Sequence, residues 1–115
     1  MNTTLTIVST SDGRPALDSN EVSLLFEIPH NVLYTRISEL RRELAAAKVD
    51  PYPYFEYYLY MDQNGKLESY HMTWEGLILL ANSFPGEKGL VMRAACASEI
   101  VNRFKALAAK EGKAE

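Results

Sequence analysis

The sequence predicts a small α+β domain, and three observations carry that prediction. Between Asp18 and Lys48 the apolar residues recur three and four apart, the period of helices, with one interruption at Pro29. Between Tyr54 and Met72 the chain turns aromatic-rich and is divided by Asn64-Gly65, the pattern of a β-hairpin. From Thr73 onward the helical period returns and runs nearly to the end. A chain of 115 residues, 47% of them hydrophobic, suits one core and one domain over 1–115.

The first element is a short strand over Leu5–Ser9, β-branched in Thr6, Ile7 and Val8. Ser11-Asp12-Gly13-Arg14-Pro15 supplies turn chemistry, and Ala16-Leu17 makes a brief return strand, giving a small N-terminal hairpin. Asp18 with Glu21 three residues on resembles a capping box, in which Asp18 accepts from the first free amides and Glu21 reaches back. Val22, Leu25 and Phe26 then form the apolar stripe of a short helix.

Pro29 stops that helix, because it lacks an amide proton and disfavours a helical Ile28. Proline is also welcome at a first helical position, so it begins the next helix. Leu33, Ile37, Leu40 and Leu44 give that helix its apolar face, with Val32 and Ala47 alongside. A short capped helix, a tight break and a longer helix with a polar face make the helix-turn-helix pattern, here over 18–48.

Asp50-Pro51-Tyr52-Pro53 ends the second helix. Tyr54–Met61 and Leu67–Met72 pair across the turn at 62–66, and this hairpin over 54–72 has the place of a wing. Alternation sends Tyr54, Tyr58 and Tyr60 to one face and Phe55, Tyr57, Leu59 and Met61 to the other. Thr73 caps a third helix to about Asn82, with Trp74, Leu77, Ile78 and Ala81 inward. Phe84-Pro85-Gly86 breaks it. A last helix follows from about Glu87 to Ala109, its stripe Leu90, Ala94, Ala97, Val101, Phe104 and Ala108; these two form a helical cap over 73–110. The predicted architecture is therefore winged-helix-like.

Three blocks stand in order along the chain: Ser19, Val22, Leu25-Phe26, His30, Val32, Ile37 and Leu40; then Tyr60, Asn64-Gly65-Lys66, Tyr70, Met72-Thr73, Gly76 and Leu79-Leu80; then Phe84, Gly86, Lys88, Asn102 and Phe104. In that order they resemble the N-terminal half, the central motif and the closing helix of the phage regulatory protein Rha family. Gly89 stands where an alanine is usual in that family. The resemblance spans residues 5 to 106 and implies a prophage-encoded regulator in the cytoplasm of a bacterial host, acting on transcription through its helix-turn-helix.

In such a unit the second helix puts its N-terminal residues at base edges while basic residues hold phosphates. The base-edge candidates are His30, Asn31, Tyr34, Thr35 and Ser38; Asn31 suits adenine and Thr35 a thymine methyl. The phosphate candidates are Arg36, Arg41, Arg42 and Lys48, with Lys66 at the wing tip. The plainer reading is a solvated helix face, and charge favours it: from Asp18 to Lys48 there are four basic and five acidic residues. The whole chain carries −3, so no global field draws it to nucleic acid.

Other chemistries find little. His30 and His71 are the only histidines, with no spaced cysteine or carboxylate set to make a metal site. Cys96 is the single cysteine and reads as a small buried hydrophobe, which fits a reducing cytoplasm. No cofactor motif is present. Asp62, Glu68 and His71 are the only set within the hairpin's reach for acid–base work, and enzymatic activity is not expected. No run is apolar enough for a membrane span. The expected partners are double-stranded DNA and a second copy of the chain, through small residues such as Ala94, Ala97 and Ala108 of the last helix. The rival is an antirepressor-like module whose exposed tyrosines bind a host or phage protein.

Overall fold

The computed structural model describes residues 6–114, and in it two short N-terminal strands, β1 (Val8–Ser9) and β2 (Pro15–Asp18), lead into helix α1 (Ser19–Phe26). Helix α2 (His30–Ala46), strands β3 (Phe55–Asp62) and β4 (Gly65–Met72), and helices α3 (Trp74–Ser83) and α4 (Gly86–Ala114) follow. Four antiparallel strands make one sheet in the order β1-β2-β4-β3. The expected N-terminal hairpin is thus no appendage: β2 joins the later hairpin, with Leu17 opposite Met72 and Asp18 opposite His71. Leu5, placed in the first strand from sequence, lies outside the described residues.

One face of the sheet is the core face. Leu17, Phe55, Tyr70 and Met72 project from it onto Val22 and Phe26 of α1, Leu33, Ile37 and Leu40 of α2, and Leu77, Leu80 and Ala81 of α3. Leu33, Ile37 and Phe55 are fully buried. Each such side chain contributes roughly 1.5–3 kcal/mol of burial energy before entropy is charged against it.

The turn between α1 and α2 is three residues long. Glu27 takes a left-handed conformation (φ 54°), and the amide of Ile28 donates back to Ser23 at 3.0 Å. Such a backbone is strained for a residue with a Cβ. Burial of Ile28, 4% exposed, offsets the strain by anchoring the turn in the core. Pro29 occupies the N-cap and His30 begins the helix, one residue later than sequence suggests. Helix α2 closes at Ala47, and Lys48 (φ 63°) reverses the chain while Val49 donates to Leu44 at 2.8 Å.

Capping at α1 differs from the expected box. Asp18 caps, accepting from the Asn20 amide at 2.8 Å. Glu21 does not reach back; it accepts from the amide of Thr6 at 2.9 Å and so ties the N-terminal segment to the helix.

Helix α3 sits close to the chain before β3. A Cβ on Gly76 would lie 2.2 Å from the carbonyl oxygen of Tyr54, so only glycine permits this approach. The same is true of Gly89, whose Cβ would lie 1.9 Å from the carbonyl oxygen of Phe84. That contact also rotates α4 away from its expected stripe. The helix packs through Gly89, Met92 and Cys96, while Leu90, Ala94, Ala97 and Val101 face outward. Alanines bury little area, so a glycine contact and one methionine decide the orientation. Beyond Glu99, Ile100, Val101 and Leu107 of α4 stand about half exposed or more.

Candidate functional site

Helix α2 is held on three sides, and this sorts its polar residues. One flank packs on β4. His30 shares a hydrogen bond with Ser19 (Nε2 to Oγ, 2.9 Å), and Ser19 Oγ in turn accepts from the Tyr70 amide at 3.0 Å. The Tyr34 ring lies 4.9 Å from that of Tyr70, and Ser38 Oγ is 3.0 Å from the Tyr70 hydroxyl. Arg41 places its guanidinium 5.4 Å over the same ring, a cation–π contact. Burial pushes the His30 imidazole down, partly opposed by the Asp18 charge. Burial, with Tyr70 beside it, pushes the Tyr34 hydroxyl up to about 12. These four positions run 30, 34, 38 and 41, a stripe at helical spacing that brackets one aromatic.

The other flank packs on the end of α3. Arg36 donates to the Ser83 carbonyl and pairs with Glu39 at 3.2 Å. Of the phosphate candidates, then, Arg36 and Arg41 are engaged inside the protein, and of the base-edge candidates His30, Tyr34 and Ser38 are. The remaining strip is Asn31, Thr35 and Arg42, all exposed, together with Val32. Thr35 Oγ1 donates to the Asn31 carbonyl at 2.8 Å, so its methyl and lone pairs face solvent. Lys48 is exposed beyond the helix, and Lys66 is exposed at the tip of the β3–β4 hairpin. Glu43 is exposed beside Arg42, which keeps the local charge near balance.

The opposite face of the sheet holds a polar cluster that sequence reasoning missed. Asp18, beyond capping α1, accepts through Oδ2 from the Tyr60 hydroxyl and from Ser69 Oγ (3.0 Å). His71 Nε2 lies 3.2 Å from the same oxygen without hydrogen-bond alignment, and its ring stacks on Tyr58 at 4.3 Å. Burial raises the Asp18 carboxyl, but the bonds donated by Tyr60, Asn20 and Ser69 outweigh it and hold the group below the usual carboxylate range. Burial and the Asp18 carboxylate push the Tyr60 hydroxyl up to about 12. Strand alternation was the available signal, since 58, 60, 69 and 71 share one face.

The same alternation dismantles the acid–base trio expected at the hairpin. Glu68 lies on the face away from His71 and accepts from the Tyr57 hydroxyl at 2.7 Å; the Asp62 side chain lies outside what is described. Among the described residues no group of three metal-ligating side chains assembles, and no helix is long and apolar enough to cross a membrane. Cys96 is buried, and burial raises its thiol. No protein-family model, curated protein or solved structure matches the chain.

Proposed function

We propose that this chain is a small phage-type regulator, of the kind the Rha family comprises, that reads double-stranded DNA through the solvent strip of α2. In this reading α1 and α2 form a helix-turn-helix and the β3–β4 hairpin is the wing of a winged-helix-like domain. The observation that carries it is the strip itself. Asn31, Thr35 and Arg42 occupy an exposed side of α2 that none of the described residues covers, on a helix braced by β4 and α3. Asn31 and Thr35 carry the groups suited to base edges, and Arg42, Lys48 and Lys66 remain for phosphates. A second copy meets the first along the later part of α4, where Ile100, Val101 and Leu107 are exposed; dimers of such readers place two recognition helices in successive major grooves.

Three phosphate contacts per subunit predict a shallow salt dependence, a slope of roughly −3 for log affinity against log salt per subunit. The test is a mobility shift against pooled random duplexes at low salt. Retention that fades with salt at about that slope supports the reading. No retention at low salt, where attraction is strongest, refutes it and leaves a protein partner as the target.

A further inference from the structure

Strand β3 is an outer strand. It pairs with β4 along all eight residues, Phe55 with Met72 through Asp62 with Gly65, and its other edge faces no strand among the described residues. Exposed edges are ordinarily blunted by lysine, proline, bulges or brevity. The run Tyr57-Tyr58-Leu59-Tyr60-Met61 has neither charge nor proline. Tyr57, Tyr58, Leu59 and Met61 are between 41% and 71% exposed.

A cleft of about 470 Å³ opens along this edge, lined by Ser9, Ser11, Arg41, Tyr52, Glu56, Tyr57 and Tyr58. Tyr57 and Tyr58 point to opposite faces of the strand, so a cleft that both line lies at the strand's rim. On the core-face side stands Arg41. Its guanidinium rests over Tyr70 and pairs with no carboxylate among the described residues, and its Nε is buried without an acceptor. On the other side Glu56 is already occupied, accepting from the Ser11 amide at 3.0 Å and from the Ser11 hydroxyl.

We propose that the free edge of β3 takes up an extended segment of a partner protein as an added strand, and that this segment presents a carboxylate to Arg41. Main-chain hydrogen bonds supply the affinity and alternate side chains the specificity. The core-face side of the added strand meets a cation that rests on the Tyr70 ring and that no carboxylate among the described residues answers, so an incoming acid makes a charge-assisted contact. A second copy does not meet this requirement. Two β3 strands paired about a two-fold axis normal to the sheet would share the core face, and β3 offers there only Phe55, Tyr57, Leu59 and Met61. None has a carboxylate. The surface is separate from the α2 strip and does not depend on the DNA reading.

The probe is a displayed library of short random peptides panned on the full chain. The expected winners alternate apolar residues with aspartate or glutamate at one fixed place, and their binding slows amide exchange over 57–61. Arg41→Gln weakens the selected peptide about ten-fold or more, the loss of one charge-assisted pair, and Arg41→Lys recovers part of it. Synthetic versions N-methylated on alternate amides separate pairing from side-chain docking: one set abolishes binding and the other retains it. The proposal is overturned if the winners lack a fixed acid, if protection falls elsewhere, if Arg41→Gln binds like the parent, or if both methylated sets bind equally. A dimer whose β3 amides are protected without peptide overturns it too.

Discussion

Replacing Asp18 with alanine tests the link between the polar cluster and the start of α1. The carboxylate does two jobs: Oδ1 caps the helix through Asn20, and Oδ2 receives Tyr60 and Ser69. Loss of an aspartate cap costs about 1 kcal/mol. Ser69 is fully buried, and stranding its hydroxyl costs about 1–3 kcal/mol more. Tyr60 is half-buried and turns to water at little cost. Asp18→Ala should therefore destabilise by roughly 2–4 kcal/mol, a fall in Tm of roughly 8–16 °C at about 4 °C per kcal/mol for this chain length. Asp18→Asn keeps a cap acceptor and should cost about half as much. Urea unfolding followed by circular dichroism reads both, and a cycle with Tyr60→Phe isolates their coupling. The sign with pH is set by the folded carboxyl lying below its ordinary value. The stability it contributes is full above the unfolded value of about 3.9 and is lost as pH falls through the folded value. The gap between parent and Asp18→Asn should be flat above about pH 5 and close in acid. A cost for Asp18→Ala below about 1 kcal/mol, or equal costs for alanine and asparagine, would refute the double role.

Other perturbations address other parts of the molecule. Gly89→Ala should destabilise by about 2 kcal/mol or more, since its Cβ would meet the Phe84 carbonyl, and thermal melting at parental stability would show that the contact yields. Asn31→Ala and Thr35→Ala should shift the preferred DNA sequence at near-parental stability, whereas Arg42→Ala should reduce the salt slope by about 1; selection from random duplexes measures both, and an unchanged sequence preference sinks the recognition strip. Leu107→Asp should shift sedimentation toward monomer, and an unaltered dimer would move the contact elsewhere. Tyr34 and Tyr60 titrate near 12, so the stability they contribute by staying neutral is full below about pH 10 and lost between there and 12. Ultraviolet titration of folded against unfolded chain should show a late-ionising fraction that Tyr34→Phe and Tyr60→Phe each reduce, and uniform ionisation near 10 would contradict their environments.

The helices and the later hairpin were legible because each is written in local signals: Asp18 and Thr73 as caps, Pro29 as a break, alternation through Tyr54–Met61. What was not legible depends on which element lies beside which. Nothing local tells that β2 pairs with β4, and without that pairing Asp18 reads as a cap and not as the centre of a cluster with Ser69 and His71. The stripe on α4 misled because apolar spacing counts alanines equally with leucines, while packing followed the absent side chain of Gly89. Likewise a polar residue on a helix looks solvated until its neighbours are placed. Tyr34, Ser38 and Arg41 converge on Tyr70, which lies about thirty positions downstream.

The bracing of α2 bears on how such a protein changes over generations. Leu33, Ile37 and Leu40 hold the helix by their bulk, and His30, Ser38 and Arg36 hold it by directed bonds, so most substitutions among them loosen the domain. Asn31, Thr35 and Arg42 answer to none of these constraints; exposed positions of this sort usually tolerate exchange within about 0.5 kcal/mol. Under the proposed DNA reading, three side chains can therefore drift to new targets on an unaltered scaffold. On that proposal a lineage selected for a new target accumulates its differences there, and diversity confined to 31, 35 and 42 would be its trace.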